Sequence, residues 1–484
     1  MPAAGAELTP SVRWALAGLS LSMLLSSLGT SIANVGLPTL AQAFNASFQQ
    51  VQWIVLAYLL AITTLIVSVG RLGDVIGRRR LLLAGIGLFT AASVLCGLAP
   101  TLWLLIGARA AQGLGAAIMM ALTMAFVGET VPKAKTGSAM GLLGAMSALG
   151  TALGPSLGGV LIAGPGWRGI FLVNLPLGIL AFILAQRTLP ADRRGTMTDG
   201  AGFDKLGTLL LALTLAAYAL AVTLHHGDGR GSFGPLNLAL LLAAAVGVGL
   251  FVLVEARAKS PLVRLAMFRD PVLSASLATS ALVMTVMMAT LVVGPFYLSA
   301  AIGLNTAMVG LVLSLGPVVV ALTGVPAGRI ADRFGAQRIT IAGLVIMAAG
   351  SLMLSMMPET LGVLGYIAPI VVTTAGYALF QTANNTAVMA DVRADQRGVV
   401  SGMLNLSRNL GLITGASVMG AVFAISAATT DIISAHPEAV ASGMRITFAV
   451  ATALIVVALA IAFGSYRRTL RMRTLTPEVR LQAD

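Results

Sequence analysis

The chain has 484 residues, of which 10% are charged and 57% hydrophobic, and its mean hydropathy is +0.94. Soluble chains carry roughly 25% charged residues, so this composition excludes a string of soluble domains and points to a polytopic membrane protein. One cysteine, Cys96, and three histidines exclude a disulfide framework and make a metal centre unexpected, and the net charge of +13 must be explained by position before nucleic acid is invoked.

Apolar runs, most of them close to the roughly 20 residues that cross a hydrocarbon core, fall near 14–35, 51–70, 81–98, 102–127, 137–163, 168–186, 206–224, 236–254, 272–300, 306–327, 339–357, 362–388, 399–425 and 445–465. The first follows only Arg13 and lacks a small-residue cleavage site, so it is read as a retained helix. Fourteen crossings put both termini on one side. Of the 30 basic residues, 25 fall on that side, three (Arg168, Arg230, Arg445) on the other and two (Arg109, Arg408) within spans. The positive-inside rule makes the richer side, with both termini, cytoplasmic. The charge therefore orients the chain in a bilayer and requires no nucleic acid.

Span 1 carries Ser27, Thr30, Ser31 and Asn34, and span 2 carries Tyr58. Polar groups at this depth either bond neighbouring helices or orient a ligand. After span 2 comes GRLGDVIGRRR (Gly70 to Arg80), and 258 residues later, after span 10, GRIADRFGAQR (Gly328 to Arg338). Gly70, Asp74 and Gly77 match Gly328, Asp332 and Gly335. The glycines permit tight turning, Asp74 is placed to cap the next helix or pair with an arginine, and Arg78 to Arg80 suit an anionic inner surface. A segment repeated at one topological position implies two parallel six-helix sets. The expected fold is all-α, with an N-terminal bundle (1–190), an inserted pair of spans with cytoplasmic flanks (191–270) and a C-terminal bundle with its tail (271–484).

Span 4 contains Arg109 and, one turn on, Gln112. A guanidinium this deep costs several kcal/mol unless paired or solvated; it serves either as a polar relay or substrate contact, or as a brace to neighbouring carbonyls. Span 5 reads GTALGPSLGG, with Gly150, Gly154 and Gly158 spaced by four, followed by Gly159 and interrupted by Pro155. Such small residues form a groove for a close neighbour, and the proline invites a kink. Span 12 adds Gln381, Asn384 and Asn385, and span 13 adds Arg408. The 22 methionines offer an adaptable wall.

GRLGDVIGRRR resembles the signature loop of the major facilitator superfamily, and Arg109, Gln112, Gly113 and Gly115 match its RxxQGxG pattern. GTALGPSLGG is similar to the motif that marks its antiporters, and WRGIFLVNLPLG (Trp167 to Gly178) with FDKLG (Phe203 to Gly207) resembles the fourteen-spanner drug:proton antiporter branch. The resemblance implies an exporter of the bacterial inner membrane that uses the proton gradient and no cofactor, acting on an amphiphilic small molecule, and a monomer is expected. It also implies that the span 5 element seals the cytoplasmic side of an outward-open state.

One departure stands out. Cation exporters of that branch usually carry an aspartate in a segment like LDTTIANVALP, whereas Leu28 to Pro38 reads LGTSIANVGLP, with Gly29 at the acid's place. None of the 17 acidic residues falls near the middle of a span, and Glu129, Glu255 and Asp391 lie close to cytoplasmic ends. Either protons use Asp74 or another peripheral acid, or the substrate is neutral or anionic, which Arg109 and Arg408 would favour. No HExxH, GxSxG, P-loop or filter-like sequence occurs, so neither an enzyme nor a channel is expected.

Overall fold

A computed structural model describes residues 9–66, 68–132, 136–192, 204–223, 234–258, 265–358, 361–390, 397–427 and 436–475. Among them fourteen helices are long and apolar enough to cross a membrane. The first set is α1 (Pro10–Val35), α2 (Phe48–Ile66), α3 (Arg78–Leu98), α4 (Leu102–Thr130), α5 (Thr136–Ala163) and α6 (Gly169–Thr188). Next come α7 (Lys205–Thr223) and α8 (Pro235–Arg257). The second set is α9 (Pro271–Ala301), α10 (Thr306–Phe334), α11 (Ala336–Ser355), α12 (Gly362–Ala390), α13 (Arg397–Thr414, continuing to Ser426) and α14 (Pro437–Leu475).

Local chemistry starts these helices. Pro10, Pro235 and Pro271 open α1, α8 and α9 at positions where the missing N–H costs nothing. The Asp270 carboxylate accepts from Val272 N at 2.8 Å, and Asn305 Oδ1 accepts from Met308 N at 2.9 Å, capping α9 and α10.

Helix pairings in the first set recur in the second. α1 packs on α5 as α9 does on α13, α2 on α4 as α10 on α12, and α3 on α4 as α11 on α12. The repeat reaches single residues. A β-carbon on Gly115 would fall 2.8 Å from Gly85 O, and one on Gly376 would fall 2.7 Å from Gly343 O. Both contacts need glycine.

Successive crossings give the bundle two ends: one carries the two signature segments, the other the turns after α1, α3, α5, α9, α11 and α13. The signature segments are helical, contrary to their reading as loops. Val69–Ile76 is a helix, and Gly328 to Phe334 are the last turns of α10. The chain turns only at the second glycine, where Gly77 (φ 103°, ψ 125°) and Gly335 (φ 91°, ψ 131°) adopt nearly the same backbone conformation. The cap on α3 is also not local: Asp192, beyond α6, accepts from Arg79 N at 2.8 Å and from Arg80 N at 3.2 Å. Asp74 lies in the Val69–Ile76 helix, and its side chain is outside the described residues.

α7 and α8 are joined by Asn237 Nδ2, which donates to Ala221 O at 2.7 Å. α7 also touches both sets. The Ser68 and Thr208 hydroxyls are 2.9 Å apart at the end of α2, and Tyr218 OH donates to Thr414 Oγ1 of α13 at 3.2 Å.

The two turning glycines differ in a way that can be measured. Gly335 faces open space, so Gly335→Ala carries only the cost of holding a β-carbon in a positive-φ extended conformation, about 1–3 kcal/mol. A β-carbon on Gly77 would meet the Asp192 carboxylate at 2.5 Å, so Gly77→Ala also displaces the α3 cap. Thermal unfolding in detergent should show the Gly77 variant clearly less stable than the Gly335 variant; equal midpoints would disprove the capping role.

Candidate functional site

Arg109 is fully buried, with 0% of its surface exposed. Its Nε donates to Ile54 O at 3.0 Å, Nη2 to Gly29 O at 3.0 Å and Nη1 to Gln112 Oε1 at 2.5 Å. The guanidinium carbon lies 4.1 Å from the centroid of the Tyr58 ring. Gln112 Nε2 in turn donates to Ser93 Oγ at 2.7 Å, and Tyr58 OH to Ser26 O at 2.7 Å. One cation thus ties α1, α2, α3 and α4 together, compensated by carbonyl dipoles, amide oxygen and a ring face. Of the two roles left open by the sequence, this geometry is that of the brace. Arg109 and Tyr58 face packed protein here, and no open cavity.

The same packing explains the glycine at position 29. A β-carbon there would fall 2.8 Å from Tyr58 OH and 3.3 Å from Phe89 Cε2. An aspartate would have to displace the tyrosine that covers Arg109.

The other sequence candidates divide by exposure. Asn34 (1% exposed) and Asn384 (2%) are buried, bonded to Thr30 O at 3.2 Å and Ser280 Oγ at 3.1 Å. Thr30 is half-buried and donates to Ser26 O at 3.2 Å. Gln381 and Asn385 are half-buried and stand four residues apart on one face of α12, and half-buried Tyr377, which nothing in the sequence singled out, is one turn earlier on the same face. Arg408, also half-buried, crosses from α13 to donate through Nη2 to Asn385 Oδ1 at 2.7 Å. Tyr377 OH lies 3.9 Å from Met284 Sδ of α9.

In α5, β-carbons on Gly150 and Gly158 would meet Leu28 N and Ile32 O of α1 at 3.0 Å each, and Gly154 abuts Ser31. Gly159 turns to the other set, where its β-carbon would lie 2.9 Å from Thr306 O and 3.0 Å from Gly310 Cα of α10. Pro155 O lies against Gly310 as well. In this structure the motif's contact with the second set is at the end opposite the signature segments. There Gln52 Nε2 donates to Ala416 O at 3.0 Å, and the Phe48 ring meets Phe296 and Phe423 at 4.8 and 5.6 Å between centroids. A single apolar core runs through both sets at that end. Toward the signature end the buried residues form two separate clusters, one drawn wholly from residues 15–189 and one from α9, α12 and α13.

A model of the Major Facilitator Superfamily matches residues 19–416. The chain belongs to that superfamily. It is 34% identical over 408 residues to the multidrug resistance protein Stp of Mycobacterium tuberculosis, covering 84% of this chain and 74% of that protein. Over 451 residues it is 28% identical to the riboflavin transporter RibZ of Clostridioides difficile, covering 93% and 97%. Its fold matches that of a bacterial homologue of the human lysosomal transporter Spinster in an inward-facing, unoccupied conformation, with TM-score 0.70 and 16% identity over 96% of this chain and 99% of that one. The protein is a membrane transporter and not an enzyme.

Several residues of the site carried no legible signal. Ser93 looks like any serine in a span, and Phe48, Phe296 and Phe423 look like ordinary core. Glu255, the one buried carboxylate among the described residues at 3% exposure, stands next to Asp204: a β-carbon on Gly207 would be 2.7 Å from Glu255 Oε1 and 2.6 Å from Asp204 Oδ2. The FDKLG segment marks the place, but nothing local pairs it with residue 255.

A brace of this geometry needs a planar fork. A lysine supplies a point charge that cannot reach Ile54 O, Gly29 O and Gln112 Oε1 together. Arg109→Lys is expected to lose about 2 kcal/mol of stability or more through the unpaired acceptors and to lose most transport. Unfolding midpoints and flux should be measured on the same preparation. A lysine variant with parental stability would show that the three bonds brace nothing.

Proposed function

We propose that this transporter exports amphiphilic small molecules across the bacterial cytoplasmic membrane by proton-coupled alternating access, with both termini and the signature end in the cytoplasm. The observation that supports it most is the core, which is continuous between the two sets at one end and divided at the other. An apolar core shared by the two sets at one end only fits one of the two states that rocking around a central site requires. With 25 of the 30 basic residues on the signature side, the end with the divided core is read as the cytoplasmic one, from which the substrate would load. The relative named for multidrug resistance supports efflux, and half-buried Thr30, Tyr377, Gln381 and Asn385 suit an amphiphile held by a few uncharged polar groups.

A second reading, export of an endogenous neutral or anionic metabolite with non-standard proton coupling, draws on one observation. No acid stands at the middle of a span, and Gly29 is closed against one. Under both readings a carboxylate that takes up the proton lies toward the signature end, where Glu255 is buried beside Asp204. Both also disfavour substrates with two positive charges, whose desolvation would go uncompensated.

Proteoliposomes with an imposed pH gradient test the reading. Neutral and singly charged amphiphiles should be moved, and a permanent dication of similar size should be moved about tenfold more slowly or worse. Glu255→Gln should weaken pH-driven accumulation while leaving exchange of substrate without a gradient. Flux indifferent to the gradient would end the proton-coupled proposal, and strong dication transport would end its electrostatic half. Bridging Gln52→Cys to Ala416→Cys with a short bis-maleimide should stop transport by locking the closed end; normal flux after complete linking would refute alternating access at that contact.

A further inference from the structure

We infer that Arg408, with Asn385 and Gln381, is an anion-recognition subsite in the transport path. It takes the carboxylate, sulfonate or comparable singly negative group of an amphiphile, whose apolar body lies along Tyr377 and Met284. The inference deepens the exporter reading above and rests on it.

The two arginines within spans are in opposite situations. Arg109 has 0% exposure, donates from all three nitrogens to protein acceptors and is covered by the Tyr58 ring. A ligand could reach it only by dismantling four helices. Arg408 is half-buried and makes one hydrogen bond, from Nη2 to the neutral side chain of Asn385. A guanidinium has five N–H donors, so one bond to an amide oxygen leaves most of its fork for an oxyanion.

Nothing built into the surrounding helices neutralises that charge. The sequences of α9, α12 and α13 contain no Asp or Glu from Pro271 to Ala301, from Gly362 to Ala390 or from Arg397 to Ser426. A cation in apolar surroundings without an acid is stabilised by whatever anion enters. The neighbours then set the ligand's shape. Asn385 holds the guanidinium across from α13 to α12. Gln381 and Tyr377 continue the same face at one-turn steps, about 6 Å apart along the helix. Met284, against the Tyr377 hydroxyl, supplies a flexible apolar contact. A charged head at Arg408 and a flat apolar body toward Tyr377 fit that order.

The subsite is tested with two water-soluble probes of one skeleton, 1-naphthalenesulfonate and the uncharged 1-naphthalenesulfonamide, titrated calorimetrically against protein in lipid nanodiscs. The parent should bind the sulfonate about tenfold more tightly. Arg408→Gln should abolish that preference, with the sulfonamide affinity falling much less than that of the sulfonate, and Arg408→Lys should keep part of it. A parent that binds both probes equally, or an Arg408→Gln protein that still prefers the sulfonate, overturns the subsite and leaves the exporter reading standing. Equal loss of both probes in Arg408→Gln, with no recovery in Arg408→Lys, assigns Arg408 a structural role and overturns it too. Failure of the parent to bind either probe counts against amphiphile transport itself, and the subsite falls with it.

Discussion

A guanidinium at the heart of α4 with no carboxylate to meet it constrains the whole N-terminal set. Its solvation comes mainly from carbonyls on α1 and α2, and carbonyls serve only if those helices come close. The glycines make that approach possible: a β-carbon on Gly113 would lie 2.5 Å from Tyr58 O, and one on Gly115 2.6 Å from Phe89 N. The RxxQGxG pattern is then one device. Arg109 needs the carbonyls, Gln112 passes the network to Ser93, and the two glycines bring α2 and α3 within reach.

The second set keeps the scaffold and lacks the charge. Matching Gly85 with Gly343 and Gly115 with Gly376 puts Ser351 where Ser93 stands and Ile370 where Arg109 stands. Ser351 is buried, and its hydroxyl has no hydrogen bond, as expected of a serine whose partner is missing. The second set also carries the irregular backbone: Pro295 followed by a π turn at Tyr297–Ala301, and another π turn at Gly415–Met419. π turns leave backbone groups displaced from the regular ladder and recur at functional sites. Both π turns lie in the set that also carries Arg408 and the half-buried face of α12.

The sequence carried the architecture because bilayer thickness fixes how long an apolar run must be. Most helix ends lie within a few residues of the runs, and the exceptions are instructive. α14 extends from Pro437 to Leu475, well past the apolar run at 445–465, because polar residues continue a helix once it has started. The signature segments are helical and not loops for the same reason, since GRLGD breaks no helix and only a glycine forced to positive φ does. Long-range partners were illegible. Asp192 caps a helix 113 residues earlier, and the acceptors of Arg109 are mostly backbone atoms, which every residue has. A sequence shows that a buried charge must be solvated; it cannot show which carbonyls do so.

The missing acid changes what coupling can mean in this molecule. Where a midplane carboxylate binds either proton or cation, the two compete for one place, and exchange follows from exclusion. Here position 29 is closed by Tyr58 and Phe89, and Glu255, the one buried carboxylate among the described residues, is on α8 toward the signature end. On the proposed reading, a proton at Glu255 and a substrate at Arg408 occupy different places and do not compete for one carboxylate. The proton would then act by favouring one arrangement of the two sets over the other, and coupling free energy is reciprocal between such sites. α7 is placed to carry that influence, since its hydroxyls meet Ser68, just beyond α2, and Thr414 of α13. If the two sets rock as proposed, at least one of those contacts would be strained, because α2 and α13 are in different sets. On that reading α7 and α8 are a third party to the motion, and a change of charge beside them would shift the balance between the two states.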